Sequence, residues 1–216
     1  MLNKANESTK QTIQKAIMDY ESSVNAHTMK DQFIKLALKT KRQGMDNLLT
    51  VLDAHNEEGL NFFNQPASAG HHSNSLGGLL KHSLMVYDNL QYLIEKSIGC
   101  IEIDANSMII AALFHDLCKW NSYEFNITDK KGEWSNTPFK YNNNTPLGHG
   151  EQSVIVLQNY IPLTKIEAGM IRWHMGPFDR AYFENSKALQ KHYPQSEYLF
   201  LADMWASRLE GAEEDE

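Results

Sequence analysis

Residues Met108 to Phe114 of this chain are apolar without a break, and the run closes on His115-Asp116. A helix with no polar face belongs at the centre of a molecule, covered on every side. This one therefore carries an imidazole and a carboxylate side by side into the interior, where neither is tolerated without a partner. A divalent cation is one such partner. Neutral nitrogen beside hard anionic oxygen suits Mn, Fe, Zn, Ni or Co better than Ca. A helix cap by His115 and an Asp116–Lys119 pair would be another, and the doublet alone does not choose between them.

The rest of the chain reads mainly as helices packed around that segment. Ile13, Ile17, Tyr20 and Val24 fall about one helical turn apart. A second helix is predicted from Thr28, with Asp31 completing a capping box, through Phe33, Leu36, Ala37, Met45, Leu48, Leu49 and Leu52, with a kink at Gly44. Glu57 to Gly78 loses the periodicity and reads as an ordered loop. Helical spacing returns over Leu79–Ile98 and Asp104–Cys118. Tyr123, Phe125 and Ile127 then alternate with polar residues, and Asp129 to Gly132 supplies a turn before Trp134, so a β-hairpin is expected. Further helices are predicted over Gly148–Tyr160, Thr164–His174, Asp179–His192 and Ser196–Leu209. The acidic tail Glu210–Glu216 is expected to fray.

With 216 residues and 42% hydrophobic content, one domain with a substantial core is expected. No apolar stretch approaches the roughly 18 to 20 residues of a membrane span, and the polar N-terminus carries no signal core, so a soluble, cytoplasmic protein is expected. Cys100 and Cys118 form no CxxC pair and read as reduced core thiols. A net charge of −7 and a pI near 5.7 argue against gripping long nucleic acid through phosphate neutralisation. A small anionic substrate stays compatible, because a metal supplies local positive charge.

Further histidines mark the helical segments on either side of the doublet: His82 on the Leu79 helix, His149 at the start of the next, and His174 at the end of another. Asp203 lies in the apolar stretch Leu199 to Trp205, where a lone carboxylate is hard to bury. One metal cluster would account for all of them together.

The order His82, His115-Asp116, His149, His174, Asp203 resembles the HD superfamily, and the likeness covers about residues 66 to 209. It implies an all-α, HD-domain helical bundle with a small β-hairpin insertion. Residues 1–56 would form helices packing on the same domain, 57–209 the HD domain, and 210–216 the tail. It also implies a binuclear site in which His82, His115, Asp116 and Asp203 hold one metal, and Asp116, His149 and His174 a second. Pro66 to His72 followed by Gly77 to Ser83 resembles the opening of the HD domain in bacterial 3′→5′ exoribonucleases. Those enzymes carry an OB-fold before it, where this chain reads as helices.

The activity so implied is hydrolysis of a phosphoester or phosphoanhydride of a nucleotide by a metal-activated hydroxide. Alternatives are a phosphodiesterase or exonuclease acting on cyclic dinucleotides or short RNA or DNA, and a di-iron oxygenase. Lys119, one turn after His115, would hold a phosphate oxygen or sit as a surface lysine at a helix end. Glu151 would act as a general base or as an ordinary first-turn glutamate. His72, Arg172 and Trp134 are candidates for substrate contact: His72 there or as an exposed or hydrogen-bonding loop residue, Arg172 there or in an ordinary ion pair, and Trp134 with Trp120 and Tyr123 as a stacking surface for a base or as the cover of their own sheet. Arg180 is a further phosphate candidate. The sequence sets neither the native metal nor the oligomeric state.

Overall fold

A computed structural model describes residues 2–70, 73–97, 101–128, 131–142 and 145–213. The α-helices are α1 (Glu7–Glu21), α2 (Val24–Lys39), α3 (Met45–Asp53), α4 (Gly78–Lys96), α5 (Ala105–Phe114), α6 (His149–Gln158), α7 (Lys165–Trp173), α8 (Tyr182–His192) and α9 (Gln195–Glu213). Strands β1 (Tyr123–Ile127) and β2 (Trp134–Tyr141) pair antiparallel, with Tyr123 opposite Tyr141 and Phe125 opposite Phe139. The protein is thus mostly helical with a small β insertion. No helix among the described residues is long and apolar enough to cross a membrane.

The apolar run does form the central helix. Residues 109–114 of α5 are buried on every face, with α4, α7 and α2 packed around them. α9 lies along α4 and also meets α7. The N-terminal helices join this core through an aromatic cluster: Phe33 of α2 stands 5.3 to 5.5 Å, centroid to centroid, from Phe62, Phe63 and Phe114. Burial of each such side chain contributes roughly 1.5 to 3 kcal/mol. A second apolar cluster is separate. It joins Ile13 and Ile17 of α1 to Leu60 and to the inner face of the hairpin, Tyr123, Phe125, Ile127 and Phe139.

Several expectations are corrected. The second helix starts at Val24, where Ser23 caps it by accepting from the Ala26 amide. Thr28 lies inside that helix and donates its hydroxyl to the Val24 carbonyl, so it caps nothing. Val24 itself is exposed and adds nothing to the face of α1. Gly44 does not kink one long helix but ends the segment between two, its φ of +86° setting the chain into α3. The last helix runs on to Glu213, past the predicted fraying point. His72, Cys100 and the start of the hairpin turn, Asp129, lie outside the described residues.

A buried carboxylate ties three of these segments together. Glu167, in the first turn of α7, forms a capping box with Thr164. It also accepts from both guanidinium nitrogens of Arg42 at 2.5 and 2.9 Å and from the Ser107 hydroxyl at the start of α5 at 3.0 Å. The loop before α3, α5 and α7 thus converge on one side chain.

Candidate metal centre

Five elements deliver the polar side chains to one place, and the ends of helices do most of it. α5 stops at Phe114. His115 is its C-cap, and Asp116, at φ −103° and ψ 24°, turns the chain into a short 3-10 helix over Leu117–Lys119. α7 stops likewise at Trp173, with His174 as its C-cap. His82 comes from the first turns of α4, His149 opens α6, and Asp203 sits on α9. α6 and α7 touch so closely that a Cβ on Gly150 would lie 2.1 Å from the Arg172 carbonyl oxygen. Glycine at 150 is thus what lets the start of α6 pack against the end of α7, the two helix ends that carry His149 and His174.

The imidazoles are held in the same manner. Nδ1 of His115 lies 2.8 Å from the carbonyl oxygen of Ala112, and Nδ1 of His174 lies 2.7 Å from that of Ile171. A carbonyl oxygen only accepts, so Nδ1 carries the proton in both rings and each neutral imidazole points the lone pair of Nε2 the other way. Both Nε2 atoms then face Asp116. His115 Nε2 is 3.4 Å from Oδ2 and His174 Nε2 is 3.6 Å from Oδ1. His82 Nε2 lies 3.1 Å from Asp203 Oδ1 and 3.8 Å from Asp116 Oδ2. His115 and His174 are fully buried and Asp116 nearly so. His115 Nε2, His174 Nε2 and Asp116 Oδ1 have no hydrogen-bond partner.

Lys119 answers part of this charge, with its ammonium 2.6 Å from Asp116 Oδ2. It leaves Oδ1 and the two imidazole lone pairs unanswered. The donors fit a divalent cation. With metal–nitrogen and metal–oxygen bonds of about 2.0 to 2.2 Å, neighbouring ligands of one ion stand roughly 3 to 3.5 Å apart, which is close to the separations seen here. Three groups of donor atoms lie within 4.8 Å of one another: His82, His115 and Asp203; His115, Asp116 and His174; and Asp116, Cys118 and His149. Asp116 belongs to two of them and turns a different oxygen toward His115 than toward His174. These buried His and Asp side chains could hold a metal ion.

Electrostatics follow from the same packing. Burial alone would raise the Asp116 carboxyl, but the Lys119 ammonium and the His115 ring hold it well below the usual carboxylate range. Asp203 is likewise pushed up by burial yet held down to about 2, chiefly by its bond to His82. Burial lowers His174, and Asp116 more than restores it, so this ring titrates above its ordinary value. In His149 burial prevails and the shift is downward. Burial raises the Cys118 thiol to about 12.

Above the cluster opens a cleft in two lobes. One, of about 650 Å³, is walled by His82, Asp116, Lys119, Asp203, Phe200 and Arg208, among others. The other, of about 520 Å³, includes Glu151, Asp179 and Arg180. His149, Met175 and Phe178 border both. A recess between α1, α2 and the loop after α3, about 340 Å³, is also polar. Its charges are already matched, Glu21 by His55 and Asn64 and Asp53 by Lys30.

The six residues expected as ligands therefore come together, and Lys119 joins them rather than lying on the surface. Glu151 borders the cleft, with Oε1 2.5 Å from Arg172 and Oε2 without a hydrogen-bond partner. Arg172 is taken up by Glu151 and by Asp179 at 2.6 Å, and its guanidinium stacks on Trp173, so it offers no group to a phosphate. Trp134 does not border the cleft. It packs edge-on against Phe125, and its Nε1 donates to the Pro138 carbonyl. Tyr123 is buried, its hydroxyl donating to Ala67. Tyr123 and Trp134 thus cover their own sheet rather than forming a stacking surface, and Trp120 packs with Tyr160 on the larger cluster. Cys118 was read only as core, yet its sulfur falls beside Asp116 and His149. Phe178 and Arg208 went unremarked in the sequence. The one available signal was a phenylalanine four residues beyond His174 in a Gly-Pro turn.

No family model matches this sequence, and comparison with curated proteins and with solved structures likewise gives no match.

Proposed function

We propose that the chain is an HD-type, metal-dependent phosphohydrolase that removes phosphate from a nucleotide, with residues 57–209 as the HD domain and the hairpin as an insertion in it. The observation that carries this reading is the pair of fully buried imidazoles whose Nδ1–H groups are spent on carbonyl oxygens while both Nε2 lone pairs face the unsatisfied carboxylate of Asp116. Such an arrangement is unfavourable without a cation between the groups. His82, His115, Asp116 and Asp203 would hold one ion, and Asp116, His149 and His174 a second. When bound, divalent metal supplies Lewis acidity toward a phosphoryl oxygen and toward the attacking water.

The chain's own residues do the rest. Lys119, already on the carboxylate, is placed to donate to a non-bridging phosphate oxygen and to offset the charge that builds there. Glu151, held by Arg172 through Oε1, has its Oε2 buried against Gly148 without a hydrogen-bond partner, and would take a proton after turning that oxygen out toward the cleft. Asp116 anchors both halves of the site by presenting opposite oxygens to them. Hydrolysis, rather than transfer to a second substrate, accords with a cluster that lines a cleft open to water.

The test is metal analysis of the purified protein, followed by turnover with added Mn²⁺ on deoxynucleoside mono- and triphosphates, cyclic dinucleotides and short oligonucleotides. Chelator-sensitive release of phosphate from a mononucleotide is the expected result. Nucleoside monophosphate released from a diester would make the enzyme a phosphodiesterase. Bound iron with oxygen uptake and no hydrolysis would overturn the hydrolase reading in favour of an oxygenase.

A further inference from the structure

The cleft wall opposite the polar cluster carries an aromatic side chain that packing does not explain. Phe178 is 66% exposed, yet its backbone is fixed. It ends a 3-10 turn over Gly176–Phe178 that follows directly from His174 and Met175. Its amide donates to the Met175 carbonyl at 3.1 Å. The next residue, Asp179, is pinned by Arg172 and accepts from the Ala181 amide. The backbone from which the ring projects is thus held at a set place in the turn that follows His174. Exposing so much apolar surface on a rigid turn gives up about a side chain's worth of burial with nothing gained in the fold.

Its surroundings suggest what it takes. Phe178 borders both lobes, 6.3 Å from the ring of Phe200, and Met175 and Met204 line the larger lobe with it. Aromatic rings with polarisable sulfur nearby suit a flat π-system. An acyl chain would need an apolar tunnel, whereas these lobes are edged by the guanidinium groups of Arg208 and Arg180. Neither arginine makes an ion pair among the described residues. Volumes of 650 and 520 Å³ match small-ligand sites.

Resting on the phosphohydrolase reading, we propose that Phe178 is the specificity-determining residue of the cleft: it stacks the planar ring of a mononucleotide-sized substrate whose phosphate lies on the Asp116–Lys119 cluster. Recognition of the ring then comes from the turn after α7, not from the hairpin aromatics.

The test compares Mn²⁺-loaded wild-type protein, Phe178→Ala and Phe178→Trp on dAMP and on 2-deoxyribose 5-phosphate, which share the sugar phosphate and differ at C1′, adenine in one and a hydroxyl in the other. kcat and KM are measured where turnover occurs, and Kd by equilibrium dialysis where the ligand survives. Stacking on one exposed ring predicts a wild-type preference for dAMP on the order of tenfold. Phe178→Ala should erase it through KM, and Phe178→Trp should keep it. Preferential, Phe178-dependent binding of dAMP without hydrolysis would support this inference while refuting the hydrolase reading. Hydrolysis of both compounds with equal efficiency, or a preference that survives in Phe178→Ala, would overturn this inference and leave the hydrolase reading standing. No binding of either compound would overturn both.

Discussion

Arg42→Ala removes one half of a buried ion pair, and its cost is readable from the surroundings of the half that stays. The Glu167 side chain is fully buried while that of Arg42 is 16% exposed. Without the guanidinium, the carboxylate keeps two neutral donors, the Thr164 amide at 2.7 Å and the Ser107 hydroxyl at 3.0 Å. Breaking a buried pair by deleting one partner costs about 3 to 5 kcal/mol, and the two remaining donors favour the lower end. For a domain of this size that is a fall of roughly 6 to 12 °C in Tm. Glu167→Gln should cost less, about 1 to 2 kcal/mol, because the freed arginine lies near solvent and can be hydrated. Urea denaturation of the two single variants, read by circular dichroism, gives both values. A loss below about 1 kcal/mol in Arg42→Ala, or a larger loss in Glu167→Gln, would refute the reasoning. Ser107 and Glu167 also begin the helices that end in His115 and His174, so Arg42→Ala is expected to weaken metal binding.

Other outcomes follow from the site itself. Metal at a hundred times its Kd should stabilise the wild type by about 2.7 kcal/mol. Asp116→Asn should abolish that stabilisation and turnover together while keeping the helical circular dichroism spectrum; an unchanged thermal shift would sink the metal assignment. Gly150→Ala puts a methyl group 2.1 Å from the Arg172 carbonyl oxygen and should cost about 3 kcal/mol or prevent folding, whereas Gly70→Ala, with nothing within 4 Å, should be near neutral in the same melt. Asp203 titrates at about 2 against an ordinary 3.8. A depressed carboxyl stabilises the fold above its unfolded value and loses that contribution as pH falls through the folded one. In chelated protein, the stability gap between wild type and Asp203→Asn should therefore shrink by roughly 2 kcal/mol between pH 5 and pH 2. A gap that does not change would show that His82 is not holding this carboxylate.

Much of the core, and the His and Asp side chains that gather in one place, was legible because both rest on local rules. An apolar run without a polar face implies a central helix, and α5 is that helix. The alternation at Tyr123, Phe125 and Ile127 implies a hairpin with a buried inner face, which is what forms. The His and Asp positions were readable because each would be costly to bury alone. Where reading failed, distance in sequence was the cause. The period across Leu36 to Leu52 cannot reveal that Gly44 turns the chain, since both halves keep an apolar stripe. An ion pair was one of the two readings open for Arg172, but its partner Glu151 could not be named, because the two become neighbours only after α6 and α7 pack. The indole partner of Trp134 was not readable because its acceptor, the Pro138 carbonyl, is offered by the fold of its own strand. Phe178 carries no periodic signal and gains meaning only from the cleft it borders.

The separateness of the two apolar clusters bears on how the molecule comes apart. The hairpin leaves the chain just after Lys119 and returns at a narrow neck, where the Asn142 amide donates to the Ser122 carbonyl. Its buried face rests on α1 and Leu60, not on α5. Hairpin and α1 can therefore detach as a unit without exposing Phe114 or Ile110. Amide protons of the strands would then exchange with solvent through this smaller opening, and those of α5 only through global unfolding. Tyr141 of β2 lies 6.2 Å, ring to ring, from His149, so this opening would reach that one candidate ligand and leave those on α4, α5, α7 and α9 seated on the larger cluster.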